Sequence, residues 1–186
     1  MVDYHAHNAI RPLAVALDRE YHTGLQMLPP HVSLKMAIPV MDMAAMDACF
    51  TAFARSMPPL TLTLTALGLW SIPAPGGETG VLYIDIAEDA PLRAMHDRLN
   101  RELAARFDDT QAPFDGPEFH FHLTLAQGNA PFAAYQQAYA QHKNAWQPRQ
   151  CAVTQIALFY VNDTEGTLQA TTLKLLPLGQ APQDAP

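Results

Sequence analysis

His31-Val32-Ser33-Leu34 and His122-Leu123-Thr124-Leu125 share one form, imidazole-apolar-hydroxyl-apolar, and open at positions 31 and 122 of a 186-residue chain. In an extended segment successive side chains point to opposite sides, so each imidazole shares a face with the hydroxyl two residues on. The apolar residues between them point the other way, toward a core. Two such segments facing across a cleft would bring together two proton-transfer groups and two neutral hydrogen-bond donors. That set suits the breaking of a phosphodiester without a metal: one imidazole takes a proton, the other gives one, and the hydroxyls hold the charged oxygens.

The elements around the two motifs follow a repeated order. Pro29-Pro30 forces extended geometry before His31, and the first strand is expected over 31–38, closed by Pro39. Asp42 reads as the N-cap of a helix that runs to about Ser56. Leu60–Leu69 alternates Leu with Thr as a half-buried strand does, the turn-rich 71–80 reads as a long loop, and Val81–Ala87 completes a hairpin. The second half repeats this sequence of elements. It has a strand over 119–126, a helix over 132–145, and strands Val153–Val161 and Thr167–Leu176 joined by 162–166. A helix from Pro91 to about Phe107 links the halves, and Leu13–Leu17 reads as a short additional strand. Strand, helix, hairpin twice over indicates an internal duplication. The expected fold class is α+β, with two pseudo-symmetric lobes, each an antiparallel-rich sheet with packed helices, and the cleft between them. Residues 1–177 form one bilobal domain, and 178–186 read as a disordered tail.

Composition narrows the partners. Eleven Lys+Arg against 18 Asp+Glu give a net charge of −7, with no basic stripe for an extended nucleic-acid surface. A small anionic nucleotide or an RNA end held in a local pocket fits that balance. No apolar run approaches the ~18 residues of a membrane span, the N-terminal residues do not form a secretory signal, and two cysteines make no disulfide framework. The expected location is therefore cytoplasmic. Cys49 and Cys151 both read as buried, inert thiols.

With both motifs and their contexts in view, the chain resembles the 2H phosphoesterase superfamily, which includes 2′-5′ RNA ligase-like proteins and cyclic nucleotide phosphodiesterases. The resemblance runs from about Pro29 to Leu176. It rests on HVSL after Pro-Pro and on Phe-x-His-Leu-Thr-Leu-Ala at the second motif. It implies a bilobal fold, chemistry on 2′,3′-cyclic phosphates or 2′-5′ linkages, and no metal or other cofactor. Carried onto this chain, His31 and His122 are the catalytic pair, and Ser33 and Thr124 bind the phosphoryl oxygens. Many members carry Arg where this chain has Gln127; Lys35, expected on the same face as His31 and Ser33, is the compensating cation.

Other residues have competing readings. Trp70 and Tyr83 flank the 71–80 loop and can stack a base, or close the core at a strand end. His120, two residues before His122, reads as a bystander at the strand start. Asp3-Tyr4-His5-Ala6-His7 imitates the Asp-x-His-x-His opening of metal-dependent hydrolases, which places a metal at His5 and His7 as the rival enzymatic reading. That motif requires an apolar strand before it, and only Met1 and Val2 precede it here. A non-catalytic nucleotide- or RNA-binding module is the remaining alternative.

Overall fold

The computed structural model of the protein describes residues 1–23, 28–128, 130–164 and 167–179. The chain begins with a helix, α1 (Tyr4–Tyr21), capped by Asp3, whose carboxylate accepts from the Ala6 N–H at 2.8 Å. Ala6, Ile10, Ala14 and Leu17 are its buried face, at helical spacing. The Leu13–Leu17 segment is therefore helical, not the strand expected. A five-residue apolar run has no period long enough to separate the two states, and Ala6 and Ile10, which precede it, complete the helical pattern.

Residues 31–40 carry no strand, which corrects the expectation for 31–38. Their alternation nevertheless points as anticipated: Val32 and Leu34 pack on the main core, and Ile38 and Val40 on a smaller cluster around Met46, Cys49 and Leu103. Helix α2 (Met43–Ser56) follows, with Asp42 as its cap.

Strands β1 (Leu60–Ala74) and β2 (Gly77–Ile86) form a hairpin, and α3 spans Ala90–Ala104. The turn is far tighter than a loop over 71–80. Ala74 pairs with Gly77 across Pro75-Gly76, and Gly76 sits at φ +85°, where a side chain would be strained. Strand β3 (His122–Gln127), helix α4 (Phe132–His142) and strand β4 (Arg149–Val153) complete the larger sheet, in antiparallel order β3-β2-β1-β4. Strands β5 (Gln155–Thr164) and β6 (Thr167–Pro177) pair separately as a two-stranded sheet. The segment expected as one strand, Val153–Val161, is thus divided at Thr154, where the chain leaves one sheet for the other. Alternation of side chains cannot reveal a change of partner.

The fold class is α+β with two antiparallel sheets, of four and two strands among the described residues. Helices α1 and α4 cover the larger sheet, whose core includes Leu64, Leu82, Ile84, Leu123 and Leu125, each at most 1% exposed. Helix α2 lies against the β5–β6 hairpin. Leu178, past the end of β6, is buried beside Phe53, Met57 and Met95; residues 180–186 of the expected tail lie outside the described residues.

Candidate active site

The second motif is displayed by β3. Leu123 and Leu125 are buried on the core side, while His122 and Thr124 lie half-buried on the other. The register sets their neighbours: Asp85 of β2 lies opposite His122, Tyr83 opposite Thr124, and Gly68 of β1 opposite Tyr83. Gly68 is required there because the Tyr83 ring occupies the space a side chain would take; a Cβ would meet it at 2.2 Å. Gly68→Ala is therefore expected to destabilise the protein by about 1–3 kcal/mol, the usual range for overpacking, read as a lowered thermal midpoint.

Trp70 stacks against Tyr83 with ring centroids 4.2 Å apart and turns its ring toward the imidazole of His122, 4.6 Å away at 78°. Tyr83 is only 7% exposed, resting over Gly68 with Trp70 beside it, so it is a support and leaves no open face for a base. Trp70 is half-buried at the edge of this stack.

The two catalytic candidates are held in the same way. His122 Nδ1 lies 2.9 Å from the carbonyl of His120, and His31 Nδ1 lies 2.8 Å from the carbonyl of Pro29. In each motif the acceptor is the backbone two residues earlier. A carbonyl can only accept, so Nδ1 carries the hydrogen in both rings and Nε2 is the nitrogen left for chemistry. The His31 ring stands edge-on to Phe159 of β5, with centroids 4.8 Å apart.

Burial pushes both imidazoles below the ordinary histidine range, because a charged ring loses hydration there. The hydrogen bond to the carbonyl partly offsets this in each. The positive charge of the chain's N-terminus, and after it that of His122, act further to lower His31. At His122 the His120 ring lowers and the Asp85 carboxylate raises the affinity for a proton.

His31, Ser33 and Lys35 border a cavity of about 490 Å³ that runs among Ile38, Met46, Phe50 and Leu158. Neither His122 nor Thr124 lines it, and its walls are mostly apolar, so this cavity is not where a phosphate would be held between the two imidazoles. Lys35 has a partner that the sequence did not announce. Its ammonium is bound to the carboxylate of Asp115, with both side chains nearly enclosed. The cation expected at the phosphate is committed to tying the first motif to the loop before β3. Gln127, at the end of β3, is exposed.

Helix α3, between the motifs, grips the end of the first and the approach to the second. His96, fully buried, bonds through Nδ1 to the carbonyl of Leu34 at 2.8 Å. Arg93 donates to the carbonyls of Gly116 and Phe119 at 2.9 Å each, and its guanidinium is also paired with Glu88. Neither residue stood out in the sequence, since each looks like an ordinary member of an amphipathic helix.

His5 and His7 do not converge. Asp3 caps α1 and accepts from the Ala152 N–H, and two residues along a helix diverge by about 200°. Among the described residues no group of three or more His, Cys, Asp or Glu is placed to hold a metal ion, and no helix is long and apolar enough to cross a membrane.

Comparison with known structures agrees with this architecture. The chain is similar to Escherichia coli LigT complexed with 3′-AMP, at 21% identity over 92% of each chain with a TM-score of 0.62. It is also similar to a protein described as a phosphoesterase, at 20% identity over 92% of each chain with a TM-score of 0.61. Against TT0787 of Thermus thermophilus the identity is 17%, the coverage 90% of this chain and 92% of that one, and the TM-score 0.52. These likenesses concern the fold. Among curated proteins no match was found. The sequence model of the 2′-5′ RNA ligase superfamily matches residues 2–165, a span that contains both motifs and the helix between them. The chain belongs to the 2′-5′ RNA ligase superfamily of 2H phosphoesterases.

Proposed function

We propose that this protein is a metal-independent phosphoesterase of 2′,3′-cyclic phosphates or 2′-5′ phosphodiester bonds, acting on a small nucleotide or an RNA end. The observation that carries the reading is the matched presentation of His31 and His122, each with Nδ1–H on the carbonyl two residues before it and no hydrogen bond at Nε2 among the described residues. One imidazole, neutral, removes a proton from the attacking water. The other, protonated, gives its proton to the departing ribose oxygen. One P–O bond forms and one breaks, and the two histidines exchange protonation states. Ser33 and Thr124 donate to the non-bridging oxygens as charge builds on them. Trp70, at the edge of the aromatic stack, offers a face to a base. Ligation uses the same groups in reverse. Structures of E. coli LigT complexed with 3′-AMP, NADP+ and ATP support a small nucleotide as the ligand class. One bilobal domain, residues 1–177, would carry the whole activity in the cytoplasm.

Hydrolysis of a 2′,3′-cyclic nucleotide by the purified protein tests the reading. Turnover that survives exhaustive chelation is expected; turnover lost to EDTA and restored by a divalent ion would overturn the metal-independent mechanism. Binding of the nucleotide with no turnover would instead identify a non-catalytic binding module.

The pH profile gives an independent measure. Productive enzyme needs one neutral and one charged imidazole, so kcat/KM should be bell-shaped with apparent constants that belong to the pair. Burial lowers both rings, so both limbs are displaced to the acid side of an ordinary imidazole, near pH ~6.5. A bound phosphate raises both values, and the kcat profile should therefore lie alkaline of the kcat/KM profile. A plateau extending to high pH would be the mark of a metal-bound hydroxide instead.

A further inference from the structure

The carbonyls that orient the two imidazoles are fixed by different means. At the first motif the acceptor belongs to Pro29 and the next residue is Pro30, so ring closure restricts the backbone on both sides of that carbonyl. At the second motif the corresponding residues are His120 and Phe121, with no such covalent restraint. There the His120 side chain reaches back to β2, where its Nε2 lies 2.8 Å from Oδ1 of Asp85. The His120 ring also stands edge-on to Trp70, 5.1 Å away, and Tyr83, 5.7 Å away. Phe119 and Phe121 on either side are buried. Asp85 is the cross-strand partner of His122 itself, so one residue of β2 fixes both the register of the imidazole and the residue whose carbonyl orients it.

We infer that Asp85 and His120 are positioning residues for His122: the Asp85 carboxylate anchors the His120 side chain, which holds the His120 carbonyl on Nδ1–H of His122 and keeps Nε2 of that ring free. The pair does for the second motif what the two prolines do for the first. The groups facing His122 are Asp85 and Tyr83 from β2, Trp70 from β1 and His120 from its own segment, with His31 linked to it through charge. Asp85 is the carboxylate acting on His122, and it raises that ring's affinity for a proton. The anchor and the charge can therefore be separated by mutation.

The kinetic arm of the test rests on the acid–base role of His122 proposed above; the spectroscopic arm does not. Protein labelled with 15N-histidine, with His122→Gln to assign the ring resonances, should show neutral His122 protonated at Nδ1. In Asp85→Ala and His120→Ala that preference should be lost, with kcat falling about tenfold to a hundredfold and KM little changed, the scale of losing an orienting partner. Asp85→Asn keeps an acceptor for His120 while removing the charge. It should hold the Nδ1–H tautomer yet shift the titration of His122 to lower pH. An unchanged tautomer in both Asp85→Ala and His120→Ala overturns the inference, whether or not activity falls. Tautomer loss in a protein without turnover would leave the positioning role standing and reject the function proposed for it. Dispersed spectra report folding in each variant, and Asp85→Asn, nearly isosteric, supplies the test should a truncation fail to fold.

Discussion

His31→Ala and His122→Ala should each lower kcat by about 10²–10⁴-fold, the usual cost of removing a general acid or base, while leaving the protein folded. Folding should persist because both rings are only half-buried, and neither belongs to the core formed by Leu82, Ile84 and Leu123. The double variant should be little worse than either single one, since a proton removed by one ring must be matched by a proton given by the other. Steady-state kinetics on a 2′,3′-cyclic nucleotide, with circular dichroism as the folding control, reads both parts. Near-full turnover in either single variant would remove that histidine from the mechanism, and additive losses would separate the pair.

The hydroxyls should produce the next largest effect. Ser33→Ala and Thr124→Val keep most of the side-chain volume and remove one donor each. A well-placed donor to a developing oxyanion contributes about 10²–10³-fold to the rate. The loss should appear in kcat more than in KM, because the donor meets its full charge only as the reaction proceeds. Unchanged kinetics with a lowered thermal midpoint would make these hydroxyls structural. Thr124 is the more sensitive position of the two, since it stands opposite Tyr83 in a paired strand.

The paired motifs were more legible in the sequence than the architecture that holds them. His31 and His122 were singled out because two matching patterns in one chain are a rarer event than either alone. The inward direction of Val32, Leu34, Leu123 and Leu125 followed from alternation, which the structure retains even where 31–40 forms no ladder. Alternation reports which side of a segment is apolar and says nothing of whether a neighbour completes its hydrogen bonds. The same blindness joined β4 to β5 across Thr154. Helix α1 was misread because LAVAL is as good a buried strand as a helical turn, and the deciding residues, Ala6 and Ile10, lie outside it. Lys35 shows a different limit. A cation on the expected face of a motif cannot be told from one with a distant partner, and Asp115 lies 80 residues away. Asp85, His120, Arg93 and His96 act through backbone carbonyls, and a carbonyl leaves no mark in a sequence.

Arg93 and His96 stand three residues apart on α3, one turn of a single helix, yet one holds carbonyls on the approach to the second motif and the other the carbonyl that closes the first. Both motif segments are thus tied to one helix. Local opening of that helix would release the two segments together. Amides near Leu34 and Phe119 should then share one free energy of opening in hydrogen exchange, as members of a single cooperative unit. An enzyme that needs its acid and its base at a fixed separation gains from such common mounting, because slack in the surrounding connections is kept from reaching the reacting atoms.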